Sequence, residues 1–346
     1  MFSKNLRYYR LRSGMTKKAL ADRVHVTSMA ITNYENGDRK PSMEILNSLA
    51  EVLGVRVSDF LAIRNDGLIF QHGEFRKNAA LSQKQQEYVC ESVEEHFSRF
   101  MTVIDILGGE VLPDAPACNL LPLSDDVEKD AHDLRVHLDF SAKGPINDLI
   151  GKLENKGILI YECAVDDNKF SGMNGFVNGR PYIIYNPQMS AERTRSTIAH
   201  ELAHLMFLWP ESMDEKEVEK MATAISGAFL LPRADAVREL GIRRSGVTGD
   251  LQLVAKEYGV SMLLLAKRAE VCRIITSSAA QAFYRYASYL GWRTAEPSRI
   301  EKEQPLLFEQ LTYRAVSEGD ISVQRGAELL KSSFEQVAEA CGFGKK

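Results

Sequence analysis

No apolar run in this 346-residue chain approaches the roughly 20 residues that a membrane-crossing helix needs; stretches such as Met262 to Ala266 end after a few positions. Cysteine is scarce. The five present, Cys90, Cys118, Cys163, Cys272 and Cys341, are scattered and never form a Cys-x-x-Cys pair. That argues against a disulfide scaffold or a cysteine zinc site, and for reduced thiols in the cytoplasm. Lys4, Arg7, Arg10 and Arg12 have no apolar core behind them, so no secretory signal is expected. Internal repeats and low-complexity tracts are also missing. With 45% hydrophobic and 26% charged residues, wholesale disorder is excluded, and the length suggests two or three domains.

The net charge of -4 is unevenly spread. Residues 1–64 hold eleven Lys and Arg against six Asp and Glu, so the rest of the chain is acidic. A basic module on an acidic body is the asymmetry of a nucleic-acid-binding head. Its pattern is that of short helices. Leu6, Tyr9 and Leu11 fit a first helix stopped at Ser13-Gly14. Thr16 caps a second, with Ala19, Leu20 and Val24 inward. Thr27 caps a third, which ends at Asn36-Gly37. Ser42 opens a fourth, Met43 to Leu53, with Ile45, Leu46, Leu49 and Leu53 at helical spacing, and a short fifth runs from Ser58 to Ala62.

The runs Met15-Thr-Lys-Lys-Ala-Leu-Ala, Val26-Thr-Ser-Met-Ala-Ile-Thr-Asn-Tyr-Glu-Asn-Gly, Arg39-Lys-Pro-Ser and Leu49-Ala-Glu-Val-Leu-Gly-Val together resemble a lambda-repressor-like (Xre-type) DNA-binding domain. The resemblance implies that the third helix enters the major groove of double-stranded DNA. Ser28, Met29, Thr32 and Asn33 would then face base edges, and Lys17, Arg39 and Lys40 would meet phosphates. The family commonly has Gln where this chain has Lys17, which can hold a phosphate but lacks the amide's paired donor and acceptor. A two-fold dimer is the default for such a head, since palindromic half-sites mirror it.

Residues 65–119 read as a helical linker. Ser82 through Leu107 predicts one long amphipathic helix, with Glu87, Glu91, Glu94 and Glu95 as its wet face. Gly108-Gly109 and the prolines 113, 116 and 122 mark a boundary. Beyond it, Asp125 to Leu138 is amphipathic, and Pro145 stands at the first turn of a helix to about Leu153. Ile158 to Val165 reads as a strand, residues 170–179 as a hairpin, and Pro181 to Tyr185 as another strand.

The chemistry is carried by His200-Glu201-Leu-Ala-His204, on a helix predicted over Ser190–Trp209. Residues four apart share a helical face, so both imidazoles can reach one ion, and Glu201 is offset toward a ligand water that it can deprotonate. In a chain with only seven histidines, composition predicts about 0.01 such matches by chance. A zinc site of this kind needs a third protein ligand and an open fourth position. No histidine follows His204, so the next helix, Asp214 to Leu231, supplies the candidates Glu215, Glu217 and Glu219. Glu219 comes first because it lines up with the small residues Ala222, Thr223 and Ser226; Glu217 is the second choice.

Five segments then resemble the ImmA/IrrE metallopeptidase family: Gly144-Pro-Ile-Asn-Asp-Leu; Leu153-Glu-x-x-Gly-Ile; Pro181-x-Ile-x-Tyr-Asn; Arg193-x-Arg-x-Thr-Ile-Ala-His-Glu-Leu-Ala-His-Leu; and Glu219-x-x-Ala222 through Phe229-Leu-Leu-Pro232. The resemblance implies a small gluzincin-like fold, Zn²⁺ held by His200, His204 and Glu219, Glu201 polarising the water, and a role like that of proteases that cut a transcriptional repressor at one site. Family members often show Glu-Ala-Asn where this chain has Met221-Ala222-Thr223, and Phe where it has Ser196. We expect the strand Tyr182–Tyr185 to pair with an extended substrate, and Tyr182, Tyr185 and Arg195 are candidates for stabilising an oxyanion.

The residues past 235 are helical in pattern, with a helix-turn-helix pair over Leu251–Val271. The whole is expected to be α+β and mostly helical: an all-α head at 1–64, a linker at 65–119, a small α/β peptidase core at 120–235 and a helical C-terminal region at 236–346. The alternative function is a transcription factor whose zincin-like domain senses a ligand or partner and cuts nothing.

Overall fold

A computed structural model describes residues 1–65, 67–73, 81–167 and 170–343. Parts of the expected linker (66, 74–80) and of the expected C-terminal region (344–346) lie outside the described residues. The fold is α+β and mostly helical. In chain order come α1 (Phe2–Arg12), α2 (Lys17–Arg23), α3 (Ser28–Asn36), α4 (Met43–Leu53) and α5 (Val57–Leu61), then β1 (Phe70–His72), α6 (Gln83–Ile106), β2 (Leu121–Pro122), α7 (Val127–His137) and α8 (Leu149–Glu154). Next are β3 (Leu159–Glu162), β4 (Gly172–Val177), β5 (Arg180–Tyr185), α9 (Ala191–Met206), β6 (Phe207–Leu208), α10 (Glu215–Leu230) and α11 (Arg233–Leu240). The chain ends through α12 (Leu251–Tyr258), α13 (Met262–Val271), α14 (Ser277–Tyr289), α15 (Trp292–Ala295), α16 (Leu307–Glu318), α17 (Val323–Leu330) and α18 (Phe334–Ala340). Among the described residues, no helix is long and apolar enough to cross a membrane.

The described residues divide into two units. The first gathers residues 1–65, 67–69, 81–111 and 308–343, and the second gathers 70–73, 112–167 and 170–307. In the first, hydroxyl caps set the helix starts: Thr16 accepts from the Ala19 amide, Thr27 from Ala30 and Ser42 from Ile45. Leu6, Leu20, Ile31, Leu49 and Phe60 are fully buried at its centre. Each such side chain contributes about 1.5–3 kcal/mol over its exposed state. Ala19, expected inward, is exposed, and Ala21 takes the buried position, because Ala21 and not Ala19 shares a face with Leu20 and Val24.

The expected wet face of α6 is not uniformly wet. Glu95 is buried and paired with Arg99 at 3.0 Å and Lys331 at 2.8 Å, and Glu91 pairs with Arg7 at 3.4 Å and Arg64 at 3.2 Å. Lys331, Arg7 and Arg64 are remote in sequence and beyond the reach of periodicity, and with Arg99 one turn on they offset the cost of burial.

The second unit is built on a four-stranded sheet in the order β1-β4-β5-β3. β3 and β5 run parallel, whereas β4 is antiparallel to both β5 and β1. The expected hairpin within 170–179 is instead formed by β4 and β5, turning at Asn178-Gly179, both with positive φ (49° and 77°). A two-residue turn of that kind matches the twist of its strands, and Asn-Gly is its preferred pair. Pro145 lies ahead of α8, which begins after Asp148; the Asp148 carboxylate accepts from the Gly151 amide and so caps the helix later than expected. α9 stops at Met206, and Phe207-Leu208 leave it as a strand parallel to β2. α9 packs on β4 and β5 and against α10, around Ile183, Ile198, Leu202, Ile225 and Phe229.

Candidate functional site

The Ser190 hydroxyl caps α9 by accepting from Arg193, and the apolar residues Ile198, Leu202 and Leu205 bury one side of the helix. That leaves His200 and His204 one turn apart on a half-buried side, with ring centroids 4.8 Å apart. Their Nε2 atoms stand 3.2 Å apart. Glu219 of α10 completes a triangle, its Oε2 lying 3.3 Å from His200 Nε2 and its Oε1 3.6 Å from His204 Nε2. Tetrahedral zinc with bonds of about 2.0–2.1 Å needs ligand atoms roughly 3.3–3.4 Å apart. The three side chains are therefore close enough together to hold a single ion.

Glu217, the second choice, is turned away. It forms a capping box with Asp214 at the start of α10: its amide donates to Asp214 Oδ1 at 2.8 Å, and its carboxylate accepts from the Asp214 amide at 3.2 Å. Glu215 is exposed in the same turn. The small residues Ala222 and Ser226 are buried, and Thr223 stays on the site side, with Oγ1 3.4 Å from His200 Nδ1. Trp209 tilts against the His204 ring at 5.2 Å and donates from Nε1 to the His204 carbonyl at 3.3 Å. Each imidazole thus has a side chain from outside α9 beside it.

Glu201 is buried against β4. Its Oε2 accepts from Asn174 Nδ2 at 2.7 Å. Gly172, two residues before Asn174 on the same face, admits the helix so closely that a Cβ there would stand 2.6 Å from Thr197 Cγ2 and 3.5 Å from Glu201 Cγ. Sequence reasoning missed Asn174; its one signal was an amide in a strand, where Asn is disfavoured.

Two expectations are corrected. β5 cannot take a substrate strand, because it is interior to the sheet and paired with β4 on one edge and β3 on the other. The oxyanion candidates are engaged elsewhere. Arg195 is buried, donates to the carbonyls of Gly259 and Ile146 and pairs with Glu303. Tyr185 donates to Glu162 at 3.3 Å, and burial, then the Glu162 charge, pushes its phenol up. Both line a cavity of about 210 Å³ with Thr194, Lys302 and Glu303, none of them a member of the His200–His204–Glu219 group. Tyr182 is buried, with its hydroxyl 2.7 Å from His72 Nδ1.

On the head, Ser28 and Met29 are exposed at the start of α3, and Thr32 and Asn33 follow, half-buried, one turn on. Thr32 donates back to the Ser28 carbonyl at 3.1 Å. Arg39 and Lys40 are exposed beyond α3. Lys17 lies 3.7 Å from Glu35, whose buried carboxylate is already bridged by Arg10.

Comparison with known proteins bears on both units. Residues 6–60 match the helix-turn-helix family model, and residues 153–270 match the model of the IrrE N-terminal-like domain. The chain is similar to the uncharacterized HTH-type transcriptional regulator YqaE of Bacillus subtilis (strain 168), 32% identical over 71 residues. That stretch is 20% of this chain and spans 61% of the relative's length. No solved structure matches.

Proposed function

We propose that this protein, a helix-turn-helix DNA-binding regulator fused to an IrrE-like peptidase domain, is a zinc metalloendopeptidase that cuts a repressor or other regulatory protein at a specific site. The observation that carries the reading is the convergence of His200, His204 and Glu219 at ligand spacing beside a buried carboxylate held by Asn174. Bound at the three donors, Zn²⁺ would supply a Lewis acid. Glu201 takes the proton of the attacking water and passes it to the leaving amide nitrogen, while the Asn174 amide keeps the carboxylate turned toward that water. A purely metal-binding role would not call for the carboxylate.

The head brings the enzyme to DNA, with Ser28, Met29, Thr32 and Asn33 toward base edges and Lys17, Arg39 and Lys40 toward phosphates, in a homodimer working in the cytoplasm. We retain 1–64, 65–119, 120–235 and 236–346 as the proposed functional segments. The test is zinc content beside cleavage of the repressor encoded next to this gene, for wild type and Glu201→Gln. Zinc in both proteins with cleavage in wild type alone is the expected result. Zinc without cleavage of any offered repressor would replace this reading with that of a sensor that cuts nothing.

A further inference from the structure

The outer edge of β4 borders the carboxylate of the candidate site, and the chain's own β1 lies on it. The strands are antiparallel, with Phe70 opposite Val177, Gln71 opposite Phe176 and His72 opposite Gly175. The Gly73 amide donates to the Asn174 carbonyl at 2.8 Å. A Cβ on Gly73 would lie 2.5 Å from that oxygen, so only glycine permits the approach without a shift. From the same Asn174 the side chain reaches Glu201. β1 therefore runs along β4 up to the residue that holds the proposed base.

Among the described contacts, β1 is joined to the sheet by backbone pairing with β4 and by His72, which meets Tyr182. It is three residues long, and none of its side chains is buried, whereas β3, β4 and β5 all contribute to the core. Its anchors are Phe70 and His72, stacked at 5.5 Å, with His72 Nδ1 2.7 Å from the Tyr182 hydroxyl. Tyr182 lies over Gly175 to make that contact. Main-chain pairing plus alternate side-chain anchors is the way a sheet edge receives an extended peptide.

We infer that the edge of β4 is a docking surface for an extended peptide, that residues 70–73 are its built-in occupant, and that a protein segment to be cut enters by displacing them. That the entering segment is cut rests on the peptidase reading. The surface selects a segment with a small residue at the Gly73 register, a ring with a hydrogen-bonding nitrogen or hydroxyl one residue earlier, and a second ring two residues before that. Because the occupant is on the same chain, its effective concentration is of millimolar order, and the resting protein is self-inhibited.

The test uses the full-length protein without added metal and a fluorescent peptide of sequence Gly-Leu-Ile-Phe-Gln-His-Gly, that of residues 67–73. Gly73→Pro removes the donor to Asn174 and leaves β4 unaltered. The peptide is expected to bind Gly73→Pro at least ten-fold more tightly than wild type, and the same peptide ending in Pro is expected to lose that gain. If circular dichroism shows Gly73→Pro unfolded, His72→Ala, which gives up the Tyr182 hydrogen bond, carries the same comparison. A folded variant that binds the peptide no more tightly than wild type overturns the inference. Since neither metal nor cleavage enters the measurement, failure of the peptidase reading would leave its result standing.

Discussion

At the candidate centre the two imidazole Nε2 atoms lie 3.2 Å apart and the Glu219 carboxylate oxygens come within 3.3 and 3.6 Å of them, and each residue has a distinct task in the proposal. Replacing Glu219 by Ala removes a ligand, so zinc affinity should fall by more than the roughly 10–100-fold typical of losing an outer partner. Equilibrium dialysis reads this directly. Asn174→Ala should behave differently. It takes the donor from Glu201 without touching a ligand, so zinc content and melting temperature stay near wild type while kcat on the cleaved repressor drops about ten-fold or more. A loss of zinc in Asn174→Ala would contradict the role given to that amide.

Among the elements, the fit of α9 against β4 depends on Gly172. A Cβ there would meet Thr197 Cγ2 at 2.6 Å and the Ile184 carbonyl at 2.7 Å. Overpacking of this kind costs about 1–3 kcal/mol, so Gly172→Ala should unfold at correspondingly lower urea. The helix α6 offers a pH-dependent test. Desolvation raises the Glu95 carboxyl, but Arg99 and Lys331 outweigh it and hold the group at about 2, below its ordinary 4.5. With the folded value depressed, the stabilisation is complete above pH 4.5 and disappears as pH falls toward 2. Glu95→Gln leaves Arg99 and Lys331 without their buried carboxylate and should cost about 1.5–3 kcal/mol at neutral pH. Denaturation of both proteins over this range should show the difference shrinking in acid.

For the whole molecule, the head and the second unit have separate hydrophobic cores, and the proposed metal donors all belong to the second. Chelation should therefore lower the calorimetric transition of the second unit, by about 4 kcal/mol relative to zinc at a thousand times its Kd, and leave that of the head in place. DNA affinity should survive the same treatment. Replacing Arg39 or Lys40 by Ala should weaken DNA binding about equally for all sequences and make its salt slope shallower by about one for each phosphate that the side chain no longer neutralises.

Much of this was readable from local pattern because the physics behind it is local. A hydroxyl three residues ahead of an amide caps a helix, glycine in the left-handed region ends one, and a spacing of four puts His200 and His204 on one face whatever surrounds them. The helical head and the predominance of helix beyond it were legible for the same reason. Other outcomes turned on partners that helix periodicity does not choose, several of them far away in the chain. Glu219 rather than Glu217 meets the imidazoles because Glu217 is drawn into the cap at Asp214. Arg195 is a buried brace because Glu303 reaches it, and Glu95 is buried because Lys331 and Arg99 neutralise it. β5 is interior and β4 carries the edge only once strand order is set, and strand order depends on pairings that no single strand's alternation encodes. Only the folded chain places Asn174 against Glu201 and lays Phe70 to His72 along the neighbouring strand.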